Sequence, residues 1–497
     1  MSARNSDGPA WGRGPMLGRK AGMGPGAEGR PGGRPQDTAP PAPPLAAADL
    51  QEPGSLPPGV PTPQGFGRLG RGASISFALQ SAGVAMKYLS SAALARWLGA
   101  VGFGAYAYST NLSQLLATPC NLGGENSALR FVPEYRAKGE TALLRGVLRV
   151  FRTVPLVLGI LVGTLAAGVV LVVGSGPTST EILLVALVAV PFFALVDVQT
   201  VLGRSFGSLF WALLPGLVLL PLGLVLAVGA IVVAGHRPTA EQAVLVGVVV
   251  VAAVAGGQAA VLRRVSRTEA PDGPARYDPR SWLRVSMPLL LISSLNLVFQ
   301  RVDVLLVGLF LDARQAGVYA MAFRTAALAS ILQTAMNTTV APRIASLFWS
   351  GRSEELEATV LRAIRLVFLP SLAVTTVLVA FGGPILSLFG TSFRTGWPAL
   401  SVYALGQLVS VSNGPVGWLM NLTGHQSRAA VVNAVSAGVC LAGYLVLIPL
   451  FGLVGAAAAN AGAVAVKNLW ANRVVRRRLG FRISVARALA AARRVPR

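Results

Sequence analysis

Acidic side chains are scarce in this sequence. Nineteen Asp and Glu stand against 43 Lys and Arg, and charged residues of both signs make up only 12% of 497 residues, about half the share of a soluble domain. Histidine occurs twice, as His236 and His425, both expected in loops, so a His-based metal site is improbable. Cysteine also occurs twice. Cys120 and Cys440 fall within or at the end of apolar stretches, which rules out a disulfide framework and marks both as small buried hydrophobes. No G-x-x-x-x-G-K-[ST] segment is present, so a pump driven through a phosphate loop is excluded. The first apolar stretch begins only near Ser74, too far along for a cleavable signal peptide. No cofactor is expected.

What the chain has in abundance is apolar length. Hydrophobic residues reach 53%, with a mean hydropathy of +0.61. The net charge of +24 would suggest nucleic acid in a soluble protein. Here the basic residues lie in short segments between apolar stretches of bilayer-spanning length, about 20 residues, so no nucleic-acid partner is expected. Twelve spans are expected, at about 74–97, 103–124, 153–174, 181–203, 209–234, 241–262, 285–310, 317–341, 363–383, 397–420, 429–449 and 452–472. The fold class is therefore an all-α polytopic membrane protein. With the N-terminus inside, and with Arg365 at the start of its span counted with the loop before it, 35 basic residues fall on the cytoplasmic side, 3 on the outer side (Arg237, Arg314, Arg394) and five within spans. The positive-inside rule then puts both termini in the cytoplasm.

Residues 1–70 are rich in Pro, Gly, Ala and Arg and show no apolar periodicity, which predicts a disordered cytoplasmic tail. A shift of 213 residues superimposes Leu98, Ala100, Gly104, Tyr106, Ala107 and Leu115 on Leu311, Ala313, Gly317, Tyr319, Ala320 and Leu328. That offset spans six segments, an even number, so it relates two six-helix lobes of the same orientation, 71–262 and 285–472. Such a parallel repeat places the substrate path between the lobes. A cytoplasmic linker, 263–284, joins them. A basic tail, 473–497, carries nine arginines; it reads equally as a helix on the anionic leaflet or as a solvated segment that fixes topology.

Besides Glu181, Glu241 and Arg365 at the starts of their spans, seven ionisable residues fall inside spans: Lys87, Arg96, Arg301, Arg324, Lys467, Asp197 and Asp303. Facing lipid, they would cost about 20 kcal/mol together on the insertion scale, so most must face a cavity or a partner. Arg96 and Lys467 lie near span ends, where snorkelling accounts for them. Asp197 is placed to cap a helix or pair with Arg204. As the two carboxylates within spans, Asp197 and Asp303 are also the candidates for ion coupling. Lys87, Arg301 and Asp303 sit mid-span. Asn296, Gln300 and Asp303 fall at i, i+4 and i+7, one face of a helix, with Arg301 flanking it. Under the 213 shift Lys87 lands on Gln300 and Asn111 on Arg324, which gives two readings. Either Lys87, Arg301 and Arg324, with Asn111, Asn296, Gln300 and Asp303, line a cationic cavity, or Arg301 and Asp303 form a static ion pair that holds the lobes together. A cavity of net positive charge attracts phosphate or pyrophosphate and repels organic cations. Gly159 and Gly163 form a G-x-x-x-G pair of the kind that favours close helix packing.

Several segments resemble a known family. Asp303-Val304-Leu305-Leu306-Val307-Gly308-Leu309-Phe310, followed by Ala316-Gly317-Val318-Tyr319-Ala320-Met321-Ala322-Phe323-Arg324, is similar to the seventh and eighth spans of bacterial polysaccharide flippases, members of the multidrug, oligosaccharidyl-lipid and polysaccharide exporter superfamily. Ala341-Pro342-Arg343-Ile344-Ala345, the Phe389–Phe393 stretch with Ala399 and Leu400, and Pro449 with Phe451 through Ala457 extend the likeness, as does Gly102-Phe103-Gly104-Ala105-Tyr106 in the first half. It covers about residues 70–480. The resemblance implies a V-shaped pair of lobes that rock between two states. It also implies export of an undecaprenyl-linked oligosaccharide from the cytoplasmic membrane, with glycosyltransferases and a polysaccharide polymerase as partners. No catalytic motif accompanies it, so an enzyme is not expected. A drug/cation antiporter of the same superfamily would want more cavity carboxylates. A membrane glycosyltransferase or polymerase would want a catalytic loop, which the outer segment near 383–397 does not supply.

Overall fold

A computed structural model describes residues 63–492 apart from 175, 272, 481 and 482. The expected disordered tail lies outside the described residues up to position 62. Every element among the described residues is helical.

In chain order the α-helices are α1 (Pro63–Cys120), α2 (Gly124–Ala137), α3 (Thr141–Val173), α4 (Thr180–Leu187), α5 (Val190–Ser205), α6 (Leu209–Leu214), α7 (Leu220–Val233), α8 (Ala240–Glu269) and α9 (Pro279–Leu297). They continue as α10 (Asp303–Phe310), α11 (Ala313–Ala326), α12 (Ile331–Trp349), α13 (Ser353–Ser387), α14 (Trp397–Ser412), α15 (Val416–Leu422), α16 (Gln426–Leu479) and α17 (Val485–Ala492). A π-turn over Pro215–Leu219 joins α6 to α7, and another over Val298–Val302 joins α9 to α10. Helix α1 begins at Pro63, inside the stretch expected to lack structure. Once the apolar run nucleates a helix, each added residue gains a hydrogen bond, and Pro is tolerated in the first turn.

Two helices are too long for one crossing. At 1.5 Å per residue, the 58 residues of α1 and the 54 of α16 would each run for about 80–90 Å. Both break at a glycine with positive φ: Gly99 (φ 69°, ψ 179°) and Gly452 (φ 56°, ψ −133°). Divided there, the helical stretches overlie each of the twelve expected spans. Seven of the undivided stretches are long and apolar enough to cross a membrane. In α3, Val157, Leu161, Leu165, Val169 and Val172 are exposed, an outer surface that water would not tolerate over such length and that lipid covers. The chain is a multi-pass membrane protein.

A few helix starts carry side-chain caps. The Thr239 hydroxyl accepts from the Gln242 amide, while the Gln242 side chain accepts from the Thr239 amide, a capping box. Asp312 accepts from the Gln315 amide at the start of α11. Small residues set the interior contacts. At Gly159 a Cβ would lie 2.5 Å from the Pro191 Cα, and at Gly163 one would lie 3.0 Å from the Leu187 carbonyl, so the Gly159–Gly163 pair does seat α3 against α4 and α5. Helix α2, in what the hydropathy reads as a loop, packs Phe131, Val132 and Tyr135 into a core with Trp282. The Trp282 indole donates to the Tyr135 hydroxyl (2.9 Å), and Ser286 and Ser127 share a hydrogen bond (2.7 Å). Cys120 and Cys440 are both buried and unpaired, as expected.

Candidate functional site: a cationic cavity between repeat-related helices

The first stretch of α1 carries Lys87, and the stretch beyond Gly99 carries Asn111 and Gln114. The π-turn before α10 carries Gln300 and Arg301, and α11 carries Arg324. All six line one cavity of about 350 Å³. The pairs related by the 213 offset, Lys87 with Gln300 and Asn111 with Arg324, thus meet in one space. Among the described residues that line it there is no Asp or Glu. Asp197, exposed on α5, stands near enough for its charge to act on Lys87 and Arg301.

Each cation is held differently. An Arg301 guanidinium nitrogen donates to the Gln114 side-chain carbonyl, and its buried Nε has no hydrogen-bond partner among the described residues. Arg324 donates to the Ser91 hydroxyl and lies 5.5 Å over the Phe103 ring. Ser91 in turn donates to the Lys87 carbonyl at 2.7 Å. The Lys87 side chain is open to the cavity. Two held arginines and an open lysine around one polar space can receive a multiply charged anion, with the arginines offering planar forks.

The structure corrects the reading of Asp303. It is fully buried and lines neither this cavity nor the neighbouring one. Its Oδ1 accepts from the Val304 amide (2.8 Å), and its Oδ2 has no hydrogen-bond partner among the described residues, so it forms no ion pair with Arg301. The cause is the π-turn. The i, i+4, i+7 face assumed 3.6 residues per turn, whereas the wider turn over Val298–Val302 rotates the helix beyond it. Gln300 stays in the cationic cavity, Asn296 lines the neighbouring cavity instead of the cationic one expected for it, and Asp303 turns into the core toward Tyr319, Tyr403 and Tyr444.

Arg96 is exposed and donates to the Leu388 carbonyl (3.0 Å), away from the cavity. Lys467, expected to snorkel at a span end, instead lines the second cavity, 5.3 Å from the centre of the Phe299 ring. Sequence reasoning missed Gln114 and Ser91, which orient the arginines. Gln114 was findable, since it follows Asn111 by three residues on the same helical face.

The fold is one that solved transporters share. The chain superposes on a multidrug resistance MATE family transporter of the MOP superfamily with a TM-score of 0.61, at 17% identity over 80% of this chain and 95% of that one. It superposes on the lipid II flippase MurJ with a TM-score of 0.64, at 14% identity over 80% and 87%. The family follows from the sequence match. The polysaccharide biosynthesis protein family model matches residues 69–348, more than half the chain, and the MatE model matches 288–459; the chain belongs to the polysaccharide biosynthesis protein family. Among curated relatives it is 27% identical, over 39% of its length and 42% of theirs, to the probable low-salt glycan biosynthesis flippase Agl15 of Haloferax volcanii. It is 25% identical to the probable flippase AglR of the same organism, over 35% of this chain and 37% of that one. The chain thus spans about two fifths of the length of these relatives.

Proposed function

We propose that this protein flips lipid-linked oligosaccharide or polysaccharide precursors across the cytoplasmic membrane by alternating access. Two six-helix lobes, 71–262 and 285–472, linked by 263–284, would rock about the shared cavity within a twelve-span topology with both termini cytoplasmic. The observation that carries this reading is the cavity that gathers Lys87, Arg301 and Arg324 without a lining carboxylate. Such a space draws in a phosphate or pyrophosphate head group and repels an organic cation. Lys87, Arg301 and Arg324 hold the head group, Asn111 and Gln300 add neutral hydrogen bonds, and the lipid tail stays in the bilayer. The family membership and the flippase names of the relatives support the same assignment.

The test is reconstitution of the full chain in proteoliposomes with a fluorescent polyprenyl-pyrophosphate sugar. Protein-dependent movement between leaflets, lost in Arg301→Glu, is the expected result. No movement of any such lipid, together with uptake of an organic cation such as ethidium, would overturn it in favour of an antiporter.

A further inference from the structure

A second cavity, of about 580 Å³, lies beside the cationic one. Gln300 and Phe323 belong to the walls of both. The two differ sharply in chemistry. The second is lined by amide side chains from five helices, among them Asn296 on α9, Asn337 on α12, Gln407 on α14, Asn421 on α15, and Asn433 and Asn468 on α16. Phe299, Phe323, Tyr403 and Trp418 add aromatic surface, and Lys467 is the one charge among the described lining residues. Amides at this density are costly inside apolar spans unless something satisfies them. Asn460 is satisfied, donating to the Tyr444 hydroxyl (2.8 Å), and Asn468 donates to the Val464 carbonyl (2.8 Å). Asn296, Asn337 and Asn433 line the space and make no hydrogen bond to protein among the described residues.

We infer that this chamber receives the sugar residues of the cargo while the cationic cavity holds its phosphate. An amide offers two donors and an acceptor, which matches hydroxyl and acetamido groups that both give and take hydrogen bonds. Aromatic side chains supply flat apolar surface for the C–H faces of a pyranose ring. A volume of 580 Å³ falls within the range of small-molecule sites, about 300–1,000 Å³. Anionic ligands have no such match here, with one lysine among so many amides, and an apolar drug would strand those amides without partners.

The assignment rests on the flippase reading, and one experiment separates them. The full chain in nanodiscs is titrated with bare undecaprenyl pyrophosphate and with undecaprenyl pyrophosphate bearing N-acetylglucosamine, glucose or galactose, with affinities read by native mass spectrometry. The expected result is that at least one sugar-bearing lipid binds about tenfold or more tightly than the bare lipid. Asn337→Leu and Asn433→Leu should each erase that increment and leave bare-lipid binding unchanged, which also shows that the variants fold. Arg301→Gln should weaken all four lipids alike. Equal affinity for bare and sugar-bearing lipids, or chamber variants that weaken the bare lipid equally, overturns the sugar chamber alone. Failure of every lipid to bind overturns the flippase reading with it.

Discussion

Gly104 and Gly317, identical under the 213-residue offset, pack directly on one another. A Cβ at Gly104 would lie 1.7 Å from the Ala313 carbonyl oxygen, and one at Gly317 would lie 2.2 Å from the Ala100 carbonyl oxygen. Ala100 and Ala313 are themselves offset by 213. The contact is therefore reciprocal, as a near-twofold relation between α1 and α11 requires, and each side presents a small-x-x-x-small pair for close backbone approach.

Substituting either glycine should loosen the joint between the halves. Gly104→Ala and Gly317→Ala leave no room except by moving backbone, and overpacking costs about 1–3 kcal/mol, occasionally more. Thermal unfolding in detergent should show a lowered midpoint for both. An unchanged midpoint would mean that the helices can separate freely at this point.

The breaks in the long helices should depend on backbone conformation and not on space. Gly99 has open space around it but a φ of 69°, so Gly99→Ala is expected to cost about 1–3 kcal/mol for a residue held in a sparsely populated region. Gly452→Ala is expected to behave alike. Gly168, in the body of α3, also has open space and no such φ; Gly168→Ala should instead stabilise by about 0.4–1 kcal/mol. Opposite signs in the same melting assay check the contrast.

Arg301→Gln should remove a charge-assisted contact worth about 1.5–3 kcal/mol, weakening cargo binding about 10- to 150-fold while the protein still inserts. Since Arg301 bonds Gln114 and does not pair with Asp303, adding Asp303→Asn should not restore export. Glycolipid on the outer leaflet of cells at matched expression is the readout. Rescue by the double change would mean that the two residues act as an ion pair after all.

The orientation inferred from the basic residues predicts that the exposed Glu140 faces the cytoplasm. In a chain lacking Cys120 and Cys440, Glu140→Cys should react with an impermeant thiol reagent only after permeabilisation. Strong labelling of intact cells would invert the topology.

Much of the fold was legible because a bilayer imposes long apolar runs, and those runs coincide with the helices. The cavity cations were legible for the same reason, since a charge such as Lys87 or Arg301 has few tolerable places at mid-span. The 213 offset pointed to their meeting, because repeat-related helices flank a common axis. Asp303 was misplaced because a π-turn leaves no mark in a pattern read at 3.6 residues per turn. Lys467 was misjudged because depth along a helix says nothing of what a neighbouring helix leaves open beside it. The amides of α12, α14 and α16 gave no signal because each is ordinary alone, and their convergence depends on packing between helices far apart in the chain.

If the second chamber takes the sugar as inferred, the wall shared through Gln300 and Phe323 would make selection conjunctive. A free phosphate can satisfy only the cations on one side, and a free sugar only the amides on the other. A molecule bearing both groups on one short tether binds the second site at the raised effective concentration set by the first. Neither site would then need high affinity, and free phosphates and sugars would compete poorly against a ligand that carries the two together.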